Sequence, residues 1–362
     1  MTTKNDQLKD IQQFATFAVK LYTTVPFNTI RFAIKGYPPH RKYNVPFAKS
    51  LVINFVRELT ENLTRGSIKY FSNPALSLFT RLKLGFFNTR NFVHDFIQID
   101  TGLLENGVTR KETVEFKARW LIKPACFNAS KDPIILYVHG GGMCVELPTS
   151  DLRFLNLLHE DFPNTAVISL DYSLLAPFPK SVEESAAIYK MIVTKWECPR
   201  VWILGDSSGG NLCLNILQYA GMTGLRLPEK CISISPWLNT TEDGDEKDQL
   251  DFLTWQLISV FKSIYAPTLV PKNKFLDLES AFDPDLWEKI LQVTKVMITY
   301  GEWEILRHQI SSFHEKLARI NRDNVQLIIE PHGVHIDTMF FETFEAREKR
   351  HTLNSLVDFL KS

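Results

Sequence analysis

The segment 201–214 reads Val201-Trp202-Ile203-Leu204-Gly205-Asp206-Ser207-Ser208-Gly209-Gly210-Asn211-Leu212-Cys213-Leu214. A short apolar run ends at the small, turn-forming residues and a helix-like pattern follows, which predicts a strand, a tight turn and a helix. Read as G-x-S-x-G, the turn would hold Ser207 clear of the sheet beside a helix N-terminus, whose free N–H groups favour negative charge. The same residues also fit a simple tight connection, so the rest of the chain must decide between the two interpretations.

Short apolar runs alternate with helical patterns on both sides of this segment. Such alternation predicts an α/β fold in which a mostly parallel central sheet is flanked by helices. The predicted strands are Ile134–Val138, Ala166–Leu170, Val201–Leu204, Cys231–Ser235, Val296–Tyr300 and Val325–Ile329. The predicted helices are Val182–Lys195, Asn211–Ala220, Leu306–Ile320 and Phe344–Leu360.

Two regions interrupt the alternation. Residues 1–115 are basic and rich in aromatic residues, and Thr240–Leu291 begins with an acidic turn and continues as a helical pattern with several aromatic residues. We expect residues 1–115 and an insertion at about 240–291 to form a helical cap. The catalytic domain then takes up residues 116–362.

A second glycine-rich turn follows the predicted strand Ile134–Val138. In His139-Gly140-Gly141-Gly142 the backbone N–H groups can point at an oxyanion, and the N–H of Ser208 would complete the site. The candidate oxyanion donors are therefore Gly141, Gly142 and Ser208. A phosphate cradle is excluded because neither a following Lys-Ser or Lys-Thr pair nor G-x-G-x-x-G spacing occurs; a flexible loop remains the alternative.

Candidate acids and histidines follow the last two predicted strands. Glu302 and Glu304 come after the first of them, and His332 and His335 after the second. In acyl transfer by a serine, an imidazole takes the hydroxyl proton and a carboxylate orients the imidazole. The order serine, acid, histidine suits this chemistry and leaves a choice within each pair. A metal site at His332-x-x-His335 is rejected, since only Asp337 lies nearby and no cysteine does.

Together these motifs resemble the hormone-sensitive-lipase-like branch of the α/β-hydrolases, which includes arylacetamide deacetylases and fungal steryl acetyl hydrolases. The resemblance covers roughly Ile134 to the C-terminus. The motifs that carry it are His139-Gly140-Gly141-Gly142, Asp171-Tyr172-Ser173-Leu174 with Ala176-Pro177 and Pro179, Gly205-Asp206-Ser207-Ser208-Gly209-Gly210-Asn211, Ser235-Pro236-Trp237-Leu238, and Gly333-Val334-His335. It implies an α/β-hydrolase fold and a serine carboxylic-ester hydrolase that needs no cofactor and no metal.

The resemblance also selects the site residues. In this family the acid lies three residues after the small residue that ends the strand, and the histidine follows Gly-Val. The implied catalytic residues are therefore Ser207, Glu304 and His335. The family usually has Asp at the position of Glu304, so the loop must retreat to accommodate the longer acid here.

The substrate that the resemblance implies is a small hydrophobic ester with a short acyl chain, such as an acetylated sterol or another lipophilic acetate. Amide deacylation and acyl transfer to an alcohol use the same acyl-enzyme and stay open. A non-catalytic small-molecule receptor on the same scaffold is the alternative from another class. Plant hormone receptors that resemble this family lack the catalytic histidine, whereas His335 is present here.

The charge distribution bears on larger partners. Lys and Arg together number 41, as do Asp and Glu, but residues 1–90 hold 14 basic and four acidic residues, a net charge of +10. No nucleic-acid-binding motif accompanies this charge, so no nucleic-acid partner is expected. The five cysteines contain no C-x-x-C pair, so neither a disulfide framework nor a zinc site is predicted.

The N-terminal region carries an amphipathic stretch, Ile11–Val25, followed by several basic residues. Its helical spacing fits either packing on its own domain or peripheral contact with a membrane surface. Lys20 and Pro26 interrupt the apolar runs, so a transmembrane helix is not expected. The polar start predicts no cleaved signal peptide. We therefore expect an intracellular protein, with the endoplasmic reticulum or lipid-droplet surface as candidate membranes.

Overall fold

The computed structural model describes residues 4–35, 42–71, 92–105, 107–244, 250–268 and 272–362. Within these ranges the strands are β1 Phe92–Asp100, β2 Lys111–Ile122, β3 Ile134–Val138, β4 Ala166–Leu170, β5 Val201–Asp206, β6 Lys230–Ile234, β7 Lys295–Gly301 and β8 Val325–Glu330. They form one sheet in the order β1-β2-β4-β3-β5-β6-β7-β8. Strands β3 to β8 pair in parallel, whereas β2 pairs antiparallel with both β1 and β4.

The parallel strands are buried because helices cover both of their faces. In β3 every residue is buried, with Ile134, Leu136 and Val138 packing in the core on one side and Ile135 and Tyr137 in the core on the other. Apolar side chains on both faces favour a strand that water does not reach. The predicted mostly parallel α/β sheet is confirmed.

Helices occupy both faces of the sheet, and others precede β1 in the chain. They are α1 Lys4–Tyr22, α2 Thr24–Lys35, α3 Phe47–Glu61, α4 Arg65–Phe71, α5 Gly102–Glu105, α6 Thr149–Asp161, α7 Lys180–Thr194, α8 Ser208–Thr223, α9 Trp255–Tyr265, α10 Pro284–Leu291, α11 Arg307–Ile320, α12 Asp337–Phe340 and α13 His351–Lys361. The core on one face is built by α7, α8, α10 and α11, and the core on the other by α6 and α13.

The hairpin of β1 and β2 extends the sheet into the region predicted as cap. The two strands pair from Phe92 opposite Arg119 to Asp100 opposite Lys111, so the expected boundary at residue 116 falls inside β2. Only alternate residues of these strands are buried, and charged side chains occupy exposed positions of β2. The hairpin therefore lacks the continuous apolar run by which the parallel strands are recognised.

The C-terminal helix begins later than predicted. Phe344–Leu360 was expected to be one helix, but α13 starts at His351, and Phe344 lies 72% exposed at the end of a separate short 3-10 helix, Glu342–Phe344. The Glu342 carboxylate accepts the backbone N–H groups of Thr352 and Leu353 at 2.7 and 2.9 Å. These bonds satisfy free donors in the first turn of α13 and so fix its start there. The predicted start at Phe344 is wrong.

The N-terminal amphipathic stretch is divided between two helices. Helix α1 ends at Tyr22 and α2 begins at Thr24, so the predicted single helix to Val25 is wrong. Pro26 lies in the first turn of α2, where its missing N–H costs no intrahelical bond. Helix α1 packs against α2 and α4, and α2 packs against α3.

The segment 250–268 joins this helical layer. Helix α9 contacts α3 and α4, and Arg57 of α3 donates a hydrogen bond to the carbonyl of Asp251. By contrast α10, which lies within the predicted insertion, packs on α8 and covers a face of the sheet. Lys49 of α3 pairs at 2.7 Å with Asp337, which follows β8, so α3 lies near the carboxyl end of that strand, the edge at which α/β folds place their sites.

Candidate active site

Ser207 occupies a sharp turn between β5 and α8. Its backbone has φ 51° and ψ −120°, a conformation that L-residues rarely adopt. The flanking glycines make room for this turn: a Cβ on Gly209 would lie 2.0 Å from the carbonyl oxygen of Val138, and one on Gly205 would lie 2.6 Å from the same atom. The turn thus needs small residues on both sides of Ser207, and it holds this side chain at the end of the strand.

His335 connects Ser207 to a buried acid. Its Nε2 lies 2.9 Å from Ser207 Oγ, and its Nδ1 lies 2.8 Å from Glu304 Oε1. Because an ionised carboxylate only accepts hydrogen bonds, the proton of the neutral ring is placed on Nδ1. Nε2 is then left free to accept from the serine hydroxyl. Burial opposes protonation of His335, but the carboxylates of Glu304, Asp251 and Asp206 together outweigh it and raise the pKa of the imidazole.

The structure also distinguishes the two candidate acids. Glu304 is fully buried, and its second oxygen accepts from Ser235 Oγ at 2.7 Å and from the backbone N–H of Gly301 at 3.1 Å. Glu302 has a half-exposed side chain and accepts the backbone N–H of His332. Glu304 and His335 are therefore brought to Ser207, whereas Glu302 and His332 form a separate contact.

The glycine-rich loop lies beside the nucleophile turn. Gly141 has φ +103° and Gly142 has φ +62°, both in the region that favours glycine. Among the described residues the N–H groups of these two glycines have no hydrogen-bond acceptor. The loop is tied to the first turn of α8, because the N–H of Met143 donates to Ser208 Oγ at 3.3 Å. Gly141, Gly142 and Ser208 thus lie at one site with free donors available.

A buried group of three hydrogen-bonded side chains, Tyr137, Asp151 and Asp206, bonds to this loop. The Tyr137 hydroxyl lies 2.7 Å from Asp206 Oδ1 and 2.7 Å from Asp151 Oδ2, and Asp206 Oδ1 also accepts the N–H of Gly140 at 3.0 Å. One phenolic proton cannot be donated to two carboxylates, so one of the acids carries a proton. Burial, followed by the charge of Asp206, raises the pKa of Asp151 well above its usual range. We therefore place that proton on Asp151, which leaves Asp206 to accept from Tyr137 and Gly140.

Three consecutive backbone N–H groups hold the histidine loop in place. Each donates to a different buried side chain: Val334 to Asp337 at 3.0 Å, His335 to Asp251 at 3.0 Å, and Ile336 to Ser235 at 3.1 Å. Sequence reasoning assigned no role to Asp251, Ser235 or the Asp151–Tyr137–Asp206 group. Ser235 stands in the quoted motif Ser235-Pro236-Trp237-Leu238, which was the one signal that could have drawn attention to it.

Comparison with known proteins identifies relatives of this chain. A family model described as Steryl acetyl hydrolase matches residues 15–359, nearly the whole chain. Steryl acetyl hydrolase 1 of Saccharomyces cerevisiae is 28% identical over 328 residues, which cover 83% of this chain and 76% of that protein.

Solved structures agree on the architecture. Carboxyl esterase 2 from the mycorrhizal fungus Tuber melanosporum aligns with a TM-score of 0.58 and 18% identity, over 76% of this chain and 88% of its own. A hormone-sensitive lipase from a metagenome library aligns with a TM-score of 0.60 and 19% identity, over 86% of this chain and 97% of its own. At these identities the likeness establishes the fold alone, and it confirms the predicted α/β-hydrolase fold.

Proposed function

Because the chain belongs to the steryl acetyl hydrolase family and is a carboxylic ester hydrolase, we propose that it removes the acetyl group from sterols or similarly bulky apolar alcohols. The observation that carries the proposal is the hydrogen-bonded series Ser207–His335–Glu304 beside a loop with free N–H groups. This arrangement supplies a nucleophile, a base and an oxyanion site together.

The proposed reaction proceeds in two steps through an acyl-enzyme. Ser207 Oγ attacks the ester carbonyl while His335 Nε2 takes the hydroxyl proton, and the N–H groups of Gly141, Gly142 and Ser208 stabilise the oxyanion. Collapse breaks the bond to the alcohol oxygen, which leaves with the proton from His335. Water then attacks the acetyl group, again giving a proton to His335, and acetate departs as Ser207 regains its proton.

Glu304 stabilises the imidazolium that forms in both steps. Its carboxylate accepts from Nδ1 and raises the pKa of His335, so the ring holds the serine proton more readily. Ser235 and the N–H of Gly301 occupy the other carboxylate oxygen. These bonds hold Glu304 in one orientation, so that little reorganisation is needed during the reaction.

The preference for a short acyl chain is inferred from the aromatic side chains that lie against the oxyanion loop. A Cβ on Gly142 would lie 2.3 Å from the ring of Phe261, so this aromatic side chain closes directly on the loop. Phe261 in turn lies 6.5 Å from the ring of Trp237, centroid to centroid. Bulky rings this close to the oxyanion donors favour acetyl over a long acyl group.

The preference for a bulky alcohol is inferred from a groove of about 900 Å³ between residues 43–52 and 330–345. Its volume lies in the usual range of small-molecule sites. Phe340 on its wall packs 5.6 Å from Phe252, whose ring lies 6.1 Å from that of His335. The ring of Phe252 thus lies between the groove and His335, which does not itself line the groove. The groove offers an apolar surface to the alcohol.

We expect the purified protein to hydrolyse a steryl acetate with a kcat/KM at least about tenfold above that for the corresponding steryl oleate, because longer acyl chains must displace Phe261. The measurement is release of free sterol, followed by gas chromatography, with p-nitrophenyl acetate as a reference ester. Faster cleavage of the oleate would contradict the short-acyl proposal. Cleavage of p-nitrophenyl acetate without cleavage of steryl acetate would contradict the alcohol assignment alone.

Peripheral membrane contact forms a separate part of the proposal. On α1 and α2 a set of apolar side chains points away from the protein at helical spacing, and we call it the apolar stripe. Its members are Leu8, Ile11, Ala15, Val19 and Tyr22 on α1, and Phe27, Ile30 and Ile34 on α2. Phe17, Val25 and Phe32 pack inward on other faces of the same helices. Both helices are thus apolar on two sides, as expected where one side packs on the protein and the other meets lipid.

The charge near the stripe favours an anionic surface. Lys20 and Arg31 are exposed on the same helices. Basic side chains next to a membrane-facing helix attract anionic lipid. No helix in the described ranges combines the length and the apolar character needed to cross a membrane, so the proposed contact lies on the surface.

We expect the protein to float with vesicles that contain anionic lipid, and to float less as salt is raised, because salt screens the attraction. The triple variant Phe27→Ser, Ile30→Ser, Ile34→Ser should bind at least about tenfold more weakly, since it removes apolar area from the contact. The double variant Val108→Ser, Val293→Ser, which changes exposed residues elsewhere, serves as control. Equal flotation of the triple variant and the wild type would refute the stripe as a membrane contact.

A further inference from the structure

Asp251 is a fully buried carboxylate that bonds to the backbone at two points of the active site. Its Oδ1 accepts the N–H of His335 at 3.0 Å, and its Oδ2 accepts the N–H of Ile305 at 3.0 Å. Ile305 directly follows Glu304 in the chain. One side chain therefore bridges the loop that carries the histidine and the loop that carries the acid.

Helix α3 holds this carboxylate from the other side. Arg57 Nη1 donates to the carbonyl of Asp251 at 3.1 Å, and Thr60 Oγ1 donates to the carbonyl of Phe252 at 2.8 Å. Both bonds fix the backbone of the 251–252 segment, and the ring of Phe252 packs edge-on against the ring of His335. The N-terminal helices are thus connected to the catalytic histidine through two residues.

Asp251 also adds charge near the imidazole. The titratable groups that face His335 are Glu304, Asp251 and Asp206, and each of them raises the pKa of the imidazole. The groups that face Asp251 are His335 and Glu304. Burial raises the pKa of Asp251 to about 6 despite the opposing effect of His335, so the carboxyl is ionised at the mildly alkaline pH at which a serine esterase is assayed.

We propose that Asp251 is a positioning residue for the reaction of the proposed function: it fixes His335 relative to Glu304, stabilises the imidazolium by its charge, and is itself held by Arg57 and Thr60 of α3. The carboxylate suits this role because it accepts both N–H groups at once, one on each oxygen. A neutral side chain of the same shape can satisfy only one of them. The catalytic geometry then depends on the docking of α3, a segment remote in sequence from the nucleophile.

The direct test is Asp251→Asn, which keeps the shape and removes the charge. When the oxygen of the new amide side chain accepts from the N–H of His335, its nitrogen faces the N–H of Ile305. Two donors then oppose each other. We expect kcat/KM for p-nitrophenyl acetate to fall about 100-fold, the size of effect produced by a small misplacement of a catalytic group. The loss should lie in kcat, with KM little changed, because Asp251 does not touch substrate.

The pH profile of kcat/KM distinguishes a residue that positions His335 and adds charge beside it from a residue that only stabilises the fold. Loss of the Asp251 charge lowers the pKa of His335, so the acid limb of kcat/KM should move to lower pH in Asp251→Asn. Thr60→Val removes the hydrogen bond to Phe252, together with the one that the same hydroxyl makes to the carbonyl of Arg57 within α3, and keeps the charge of Asp251. We expect it to lower kcat about fivefold, the value of one hydrogen bond, while leaving the acid limb in place.

Asp277→Asn is the matched control, since Asp277 is also a buried carboxylate that accepts a backbone N–H, that of Thr241, but has no contact with the triad. It should reduce thermal stability without moving the pH profile. An Asp251→Asn protein with wild-type kcat and an unmoved acid limb would overturn the proposal. If that variant does not fold, a wild-type kcat in Thr60→Val overturns it instead.

Active-site titration distinguishes this failure from failure of the proposed function. A fluorophosphonate probe counts the reactive serines in the wild type before the variants are compared. If the wild type neither reacts nor hydrolyses esters, the acyl-enzyme mechanism is wrong. If the wild type is fully reactive and Asp251→Asn equals it in rate and pH profile, only the positioning role is wrong.

Discussion

Replacement of Ser207 by alanine is expected to lower kcat for ester hydrolysis by about 10⁶-fold, the loss seen when the nucleophile of a serine hydrolase is removed. No other hydroxyl lies within hydrogen-bond reach of His335 Nε2 among the described residues. The variant retains the free N–H groups of the oxyanion loop, so a small residual rate above water is expected. The measurement is the initial rate with p-nitrophenyl acetate, after folding has been verified by circular dichroism and thermal unfolding.

Ser233→Ala is the matched control for this change. Ser233 is buried on β6, and its hydroxyl has no hydrogen-bond partner within the described ranges. Its removal should leave kcat within about twofold of the wild type, because no polar partner is lost. Comparable rates in the Ser207→Ala and wild-type proteins would show that the hydrolysis does not use Ser207, and the proposed mechanism would have to be abandoned.

Glu304→Gln is expected to lower kcat by about 10⁴-fold, the cost of the corresponding acid-to-amide change in a serine protease. The amide nitrogen can donate to His335 Nδ1, which places the ring proton on Nε2, where it can no longer accept from Ser207. The substitution also removes the charge that stabilises the imidazolium. KM should change little, since Glu304 is fully buried behind the histidine.

Glu302→Gln is the control, two residues away in the same loop. The Glu302 side chain is exposed and, in the described structure, its carboxylate contacts the backbone N–H and the ring of His332, away from Ser207, so we expect kcat within about twofold of the wild type. A large loss in Glu302→Gln with little loss in Glu304→Gln would mean that the acid has been assigned to the wrong residue.

The central strands could be predicted because each residue in them is buried on one face or the other. The predicted bounds of Ile134–Val138 and Ala166–Leu170 equal those of β3 and β4, since polar or turn-forming residues end both runs. The hairpin of β1 and β2 was not predicted, because exposed aromatic and charged residues obscure its alternating pattern of apolar residues. Partial burial at the edge of a sheet gives a weaker sequence signal than burial at its centre.

The serine, the acid and the histidine could be placed from the sequence because each follows a strand at the same edge of a parallel sheet. The choice of Glu304 rested on family resemblance, and the structure now adds the 2.8 Å contact with His335. The supporting groups could not be predicted. Asp251 reaches His335 only through folding of a segment 84 residues away in sequence, and Tyr137 joins Asp151 to Asp206 only once α6 has packed on the sheet.

If the apolar stripe of α1 and α2 rests on lipid as proposed, the enzyme searches for its substrate in two dimensions. Its rate then follows the number of ester molecules per unit of surface rather than their concentration in bulk water. The proposed deacetylation at such a surface would send the two products into different phases, because acetate dissolves in water and the apolar alcohol stays in lipid. Because acetate is diluted into the bulk water, re-formation of the ester becomes negligible. The separation of the two products thus makes the reaction effectively one-way without a further source of energy.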